Sequence, residues 1–165
     1  MQKEFPTTQL SLFHQLESTT SSDAQLLARV RPELIGHLHI ETVDEFVKVM
    51  QLLVRKLNKN NPYNSKKTRR KYFGHYISIQ SFVLSWSRNL TCEDCGIQNL
   101  QRALHFHHPD PKLKDLDVGA TSNSFPKRVR ESLKCLYLCE DCHYQEHIKL
   151  GDVNDYFNFI SRRGY

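Results

Sequence analysis

Two Cys-x-x-Cys pairs constrain this 165-residue chain more than any other feature. Cys92-Glu-Asp-Cys95 and Cys139-Glu-Asp-Cys142 share one spacing and the same intervening residues, with 43 residues between the pairs. A single pair is weak evidence, because it suits a redox couple as well as a metal. Two in one short region point to a four-thiolate tetrahedral zinc site. All four ligand positions are then filled, so the zinc is structural. In a stretch with little apolar sequence it would supply much of the folding free energy. Cys135 is left over and reads as a small buried side chain.

Histidines cluster in nearly the same stretch: His105, His107, His108, His143 and His147 are five of the nine in the chain. Leu104 to His108 reads as a strand and Leu136 to Leu138 as a second. Strand residues alternate faces, so His105 and His107 share one side while His108, at the end, points elsewhere. Cys142 to Leu150 has helical composition and is stopped by Gly151. On that helix His143 and His147 are one turn apart and make a natural ligand pair, with Glu146 bordering the same face. If the zinc ties the start of this helix to the strands, His107, His143 and His147 converge on a second metal, with His108 beside it.

The run Cys92-x2-Cys95, Leu104-His105-Phe106-His107-His108-Pro109-Asp110-Pro111, Leu138-Cys139-x2-Cys142-His143-x3-His147 resembles the HNH endonucleases. These are ββα-metal (His-Me finger) nucleases, here of the type with a four-cysteine zinc site. The resemblance spans 92–147, or 56 of the 165 residues. It implies that His107 is a metal ligand and that His108 is the general base that activates water. It implies further that His143 is the second ligand and His147 the third, with Glu146 able to take or share that last role. His105 matches a histidine that helps hold the phosphate in a phage junction-resolving member. Asp110 lies in the His-His-x-Asp-Pro stretch of many small phage and bacterial members. The family's central Asn, which braces the loop across the hairpin, appears here as Lys134, and Asn123 is a candidate substitute.

The chemistry is consistent with these roles. A neutral imidazole accepts a proton from water near pH 7, and one divalent cation stabilises charge on a departing 3′ oxygen. The family leaves 5′-phosphate and 3′-hydroxyl ends. Three imidazole ligands favour Mn²⁺, Ni²⁺ or Co²⁺ at least as much as Mg²⁺, which prefers oxygen. The competing classes are a non-catalytic zinc-ribbon module that binds nucleic acid, and a metal-dependent RNase.

Charge is unevenly spread. From Arg55 to Lys71 the chain has eight basic residues and no acidic one, whereas elsewhere 15 basic residues face 18 acidic ones. This stripe, including Lys66, Lys67, Arg69, Arg70 and Lys71, suits a polyanion such as double-stranded DNA and would add affinity rather than sequence readout. Its bland reading is a solvated, charged linker. A single active site cuts one strand at a time, so cutting both would take a homodimer or two visits.

N-terminal to the stripe the pattern is helical. A helix over 23–36 begins near Asp23, with Pro32 interrupting or restarting it. A second has a capping box at Thr42 and Glu45 and an apolar face of Phe46, Val47, Met50, Leu53, Val54 and Leu57. Tyr72 to Arg88 is apolar and leans helical. A short last helix follows a cap at Asp152. The expected organisation is α+β: a tail over 1–22, a helical region over 23–90 carrying the stripe at 55–71, and a zinc-braced ββα-metal nuclease domain over 91–165.

Within the tail, Gln9-Leu10-Ser11-Leu12-Phe13 resembles the pentapeptide by which many bacterial replication and repair proteins bind the sliding clamp. The resemblance makes Leu12 and Phe13 the apolar anchors and Gln9 the hydrogen-bonding group, tethered by a Ser/Thr stretch. The other reading is the first turn of an amphipathic helix with Leu10, Phe13 and Leu16 inward. No run approaches the ~20 apolar residues of a bilayer span, and no basic region followed by an apolar run marks a secretory signal. A cytoplasmic protein of a bacterial or phage-infected cell is the expectation, with no membrane partner.

Overall fold

The computed structural model describes residues 23–59, 69–72, 75–98 and 104–152, together with Asn154, Phe157 and Ser161. The clamp-like peptide Gln9, Leu10, Leu12 and Phe13 lies outside the described residues, as do Lys66 and Lys67 of the stripe. In chain order the elements are α1 (23–27), α2 (Pro32–Leu38), α3 (Val43–Lys59), β1 (Arg69–Tyr72), β2 (His75–Ser78), α4 (Ile79–Trp86), β3 (His105–His107), a 3-10 turn (Pro111–Leu113), α5 (Phe125–Lys134), β4 (Leu136–Leu138) and α6 (Glu140–Leu150). The architecture is α+β.

Local chemistry sets most of the helix starts. Pro32 restarts the chain as α2, because a proline at the first helical position loses no hydrogen bond. The reciprocal capping box at α3 is formed: Glu45 N–H donates to Thr42 Oγ1 at 3.2 Å and Thr42 N–H donates to the Glu45 carboxylate at 3.0 Å. Asp23 adds a tie from outside the helix by accepting the Val43 N–H at 3.1 Å. The inward face of α3 is Val43, Phe46, Val47, Met50 and Val54.

Between Tyr72 and Ser78 the chain departs from the helical expectation. Arg69–Tyr72 and His75–Ser78 form an antiparallel pair in which Tyr72 lies opposite His75 and Arg69 opposite Ser78. Helix begins only at Ile79, where Ser78 Oγ accepts the Ser81 N–H at 3.1 Å. A local reading of an apolar run misses a partner strand, and the partner here is the end of the basic stripe.

Helices α1 to α5 share one apolar core, built around Leu27, Leu34, Phe46, Met50, Val83, Leu84, Val129 and Leu133. Helix α5 delivers Phe125, Val129 and Leu133 to it, so the core runs across residue 91. Beside this core, β3 and β4 pair antiparallel, with His105 opposite Leu138 and His107 opposite Leu136, and α6 follows β4 directly. Two buried arginines tie segments distant in the chain together. Arg88 donates to Ser132 O at 3.0 Å and Cys135 O at 3.1 Å and pairs with Glu93, between the first two cysteines. Arg128 donates to Val118 O at 2.7 Å and to Gln80 Oε1 at 2.9 Å. Among the described residues no helix is long and apolar enough to cross a membrane.

Candidate metal centres

Cys92, Cys95, Cys139 and Cys142 come together with their sulfurs within 4.8 Å of one another. Cys92 opens a tight turn in which Gly96 N–H donates to Cys92 O at 3.0 Å, and Gly96 takes the left-handed φ of 73° that the turn requires. Glu93 N–H donates to Tyr137 O at 2.9 Å, which docks this turn on β4. Cys139 and Cys142 frame the first turn of α6. No disulfide joins the cysteines, and Cys95 Sγ lies 3.7 Å from Cys139 Sγ. That is far too long for a covalent bond. It fits the ~3.8 Å edge of a tetrahedron with zinc–sulfur bonds of ~2.3 Å. Burial raises the Cys92 thiol, but the backbone N–H groups of Cys139, Cys95 and Asp94 outweigh it and bring it down to about 7. The Cys139 and Cys142 thiols are pushed up, first by burial. Four sulfurs gathered this closely are geometrically suited to hold one metal ion.

The second group is His107, His143 and His147, whose ring nitrogens also lie within 4.8 Å of one another. His143 and His147 lie on one face of α6, their rings nearly perpendicular and their Nε2 atoms 3.1 Å apart. The His107 ring, from the end of β3, stands edge-on to both, at 5.0 Å and 4.8 Å between centroids. His107 Nε2 is buried and has no hydrogen-bond partner among the described residues. A bare buried ring nitrogen is costly unless something satisfies it, and a cation shared with the other two rings does so. Burial, then the neighbouring His147, pushes His107 down to about 4, so the ring is in its neutral, ligating form at pH 7. His147 Nδ1 lies 2.9 Å from Asp152 Oδ1, which directs its other nitrogen toward the group. Gly151, at φ 74°, turns the chain after α6 so that Asp152 folds back. His105 stacks on His143 at 5.3 Å with its ring nearly parallel.

His108, next to His107, turns the other way. Its side chain is 9% exposed, and Nε2 lies 2.7 Å from Glu131 Oε1 on α5 and 3.4 Å from Cys135 Sγ. Cys135 is completely buried, which pushes its thiol up to about 12 and leaves it inert. Glu131 also binds the chain that follows His108: Oε1 accepts the N–H of Asp115 at 2.8 Å and lies 3.4 Å from that of Leu116. Lys134, where the resemblance leads one to expect Asn, reaches the same loop through Asp115 Oδ2 at 2.5 Å and Leu113 O at 3.3 Å, and it pairs with Glu131 Oε2 at 3.0 Å. Burial raises the Glu131 carboxyl, but the Asp115 N–H, Lys134 and His108 outweigh it and hold it below its ordinary value.

Two other candidates have local partners. Asp110 Oδ1 accepts the Lys112 N–H at 2.9 Å and starts the 3-10 turn. Glu146 pairs with Lys149 at 2.5 Å and stands outside the three-histidine group. Of the stripe, Arg55, Lys56 and Lys59 lie on α3, while Arg69, Arg70 and Lys71 form the backbone of β1. Pattern reading missed Glu131 and Asp152. A single acid in an amphipathic helix is normally placed outward, and an acid after a helix-stopping glycine reads as a cap for the next element. No family model matches this chain, and neither does any curated protein or solved structure.

Proposed function

We propose that the protein is a divalent-metal-dependent DNA endonuclease that hydrolyses phosphodiester bonds, with His108 as general base. The observation that carries this reading is the end of β3, where adjacent histidines face apart. His107 joins the His143 and His147 rings, and His108 is held by Glu131. A ribbon that only bound nucleic acid would have no use for a three-imidazole cluster with a fourth imidazole oriented beside it.

Ionised Glu131 accepts hydrogen bonds and donates none, so the His108 nitrogen facing it carries the proton and Nδ1 is left to take one from water. As the water oxygen attacks phosphorus, the P–O3′ bond breaks and its electron pair leaves with the 3′ oxygen. A divalent cation held by His107, His143 and His147 would bind a phosphate oxygen and stabilise charge on the leaving group. His105, stacked on His143, offers a ring N–H donor for the phosphate, and the basic stripe contributes salt-dependent affinity for the backbone.

The test is supercoiled plasmid incubated with zinc-loaded wild type and with His108→Ala, in Mn²⁺, in Mg²⁺ and in chelator, alongside an RNA of matched length. Wild type should produce nicked or linear DNA only with added cation, and His108→Ala should be slower by about 10²–10⁴-fold. Equal rates for both proteins would remove His108 from its role. Tight, salt-sensitive binding with no cleavage of either nucleic acid would replace the enzyme with a binding module.

A further inference from the structure

Glu131 is an acid in the wrong place for an ordinary amphipathic helix. It lies on α5, beside residues that fill the apolar core, and its side chain is only 3% exposed. Oε1 gathers His108 Nε2 at 2.7 Å and the Asp115 N–H at 2.8 Å, while Oε2 meets Lys134 Nζ at 3.0 Å. A buried carboxylate satisfied on both oxygens keeps its charge, and a carboxylate only accepts. The proton in the short contact therefore belongs to the ring. The nearby Cys135 thiol, 3.4 Å from Nε2, has Glu131 O at 3.4 Å as an acceptor for its own hydrogen.

We propose that Glu131 is a positioning residue that fixes His108 in the Nε2–H tautomer and, through the Asp115 N–H, locks the loop after it in the same register. The assignment rests on the nuclease reading only for its consequence, the availability of Nδ1 to water. Pro109 and Pro111 restrict the chain leaving His108, and the Glu131 carboxylate ties both ends of the stretch from His108 to Asp115. Lys134, paired with Glu131, adds ties to the same loop at Leu113 O and Asp115.

The experiment uses the full chain loaded with zinc and labelled with ¹⁵N, at pH 8, with long-range ¹H–¹⁵N correlation of the histidine rings. The His108 signals are those absent from His108→Ala. Wild type should show a pure Nε2–H ring. Glu131→Gln keeps an acceptor oxygen and should keep that tautomer, with plasmid nicking within about tenfold of wild type. Glu131→Ala should mix the tautomers and lower the nicking rate by about 10²-fold or more, with DNA affinity unchanged. An Nδ1–H ring in wild type overturns the proposal, as does a folded Glu131→Ala protein that keeps a pure Nε2–H ring. If Glu131→Ala does not fold, judged by zinc content and circular dichroism, the wild-type and Glu131→Gln rings decide by the same criterion. An Nε2–H wild-type ring in a protein that cuts nothing ends the nuclease reading and leaves the positioning assignment standing.

Discussion

Phe46 and Met50 on α3 are fully buried, in a core that continues through Val83 and Leu84 of α4 and Val129 and Leu133 of α5. Around β3, β4 and α6 the buried apolar cluster shrinks to Cys92, Leu138 and Cys139, with Leu104, Leu136 and Cys142 partly covered. Helix α6 shows the contrast best. Its buried residue is His143, while Ile148 and Leu150 lie exposed. In the helical region, stability comes from apolar surface removed from water, worth roughly 25 cal/mol per Å². In the strand–helix region Tyr137 and Leu138 are joined inside by thiols and imidazoles, which are costly to bury unless something satisfies them. The contrast predicts that order in the second region depends on metal, while Arg88 and Glu131 tie it to the first.

Removal of zinc is the strongest way to test this division. A tight chelator should abolish amide-exchange protection over 136–150 while the α3 amides near Phe46 and Met50 stay protected, since structural zinc contributes on the order of 10 kcal/mol. Equal loss in both regions would show that they fold as one unit. Met50→Ala acts from the other side. It should lower stability by about 2–5 kcal/mol in urea, with one structural zinc still bound per chain. Loss of that zinc from the folded variant would break the comparison.

A smaller effect sharpens the boundary itself. The Glu131 carboxyl is held below its ordinary value in the folded state. It therefore contributes stability that is present above the unfolded value of 4.5 and is lost as pH falls below that point. As pH falls below 4.5, wild type should lose more stability than Glu131→Gln, measured by urea midpoints at each pH. Parallel curves would mean that the carboxylate does not bind the loop to α5.

Much of the metal-binding framework was legible because its signals are local or depend on spacing. The capping box at Thr42 and Glu45 formed as expected, β3 and β4 lie within the expected runs, and Gly151 stops α6. The i, i+4 spacing of His143 and His147 needs only the helix period to place both on one face. What failed was non-local. The β1–β2 pair was hidden because strand pairing depends on a partner, and local apolarity over Tyr72–Ser78 does not reveal one.

By itself, the sequence determined which residues are able to ligate a metal and which helices are able to start and stop, because residue chemistry and helical or strand period operate over a few positions. Only the tertiary structure decided that Glu131 meets His108 across 23 positions and that Arg88 reaches Ser132 and Cys135. The physical reason is that a buried charge or bare ring nitrogen is tolerated only where partners converge, and that convergence is set by how α5 packs in the core rather than by any spacing along the chain.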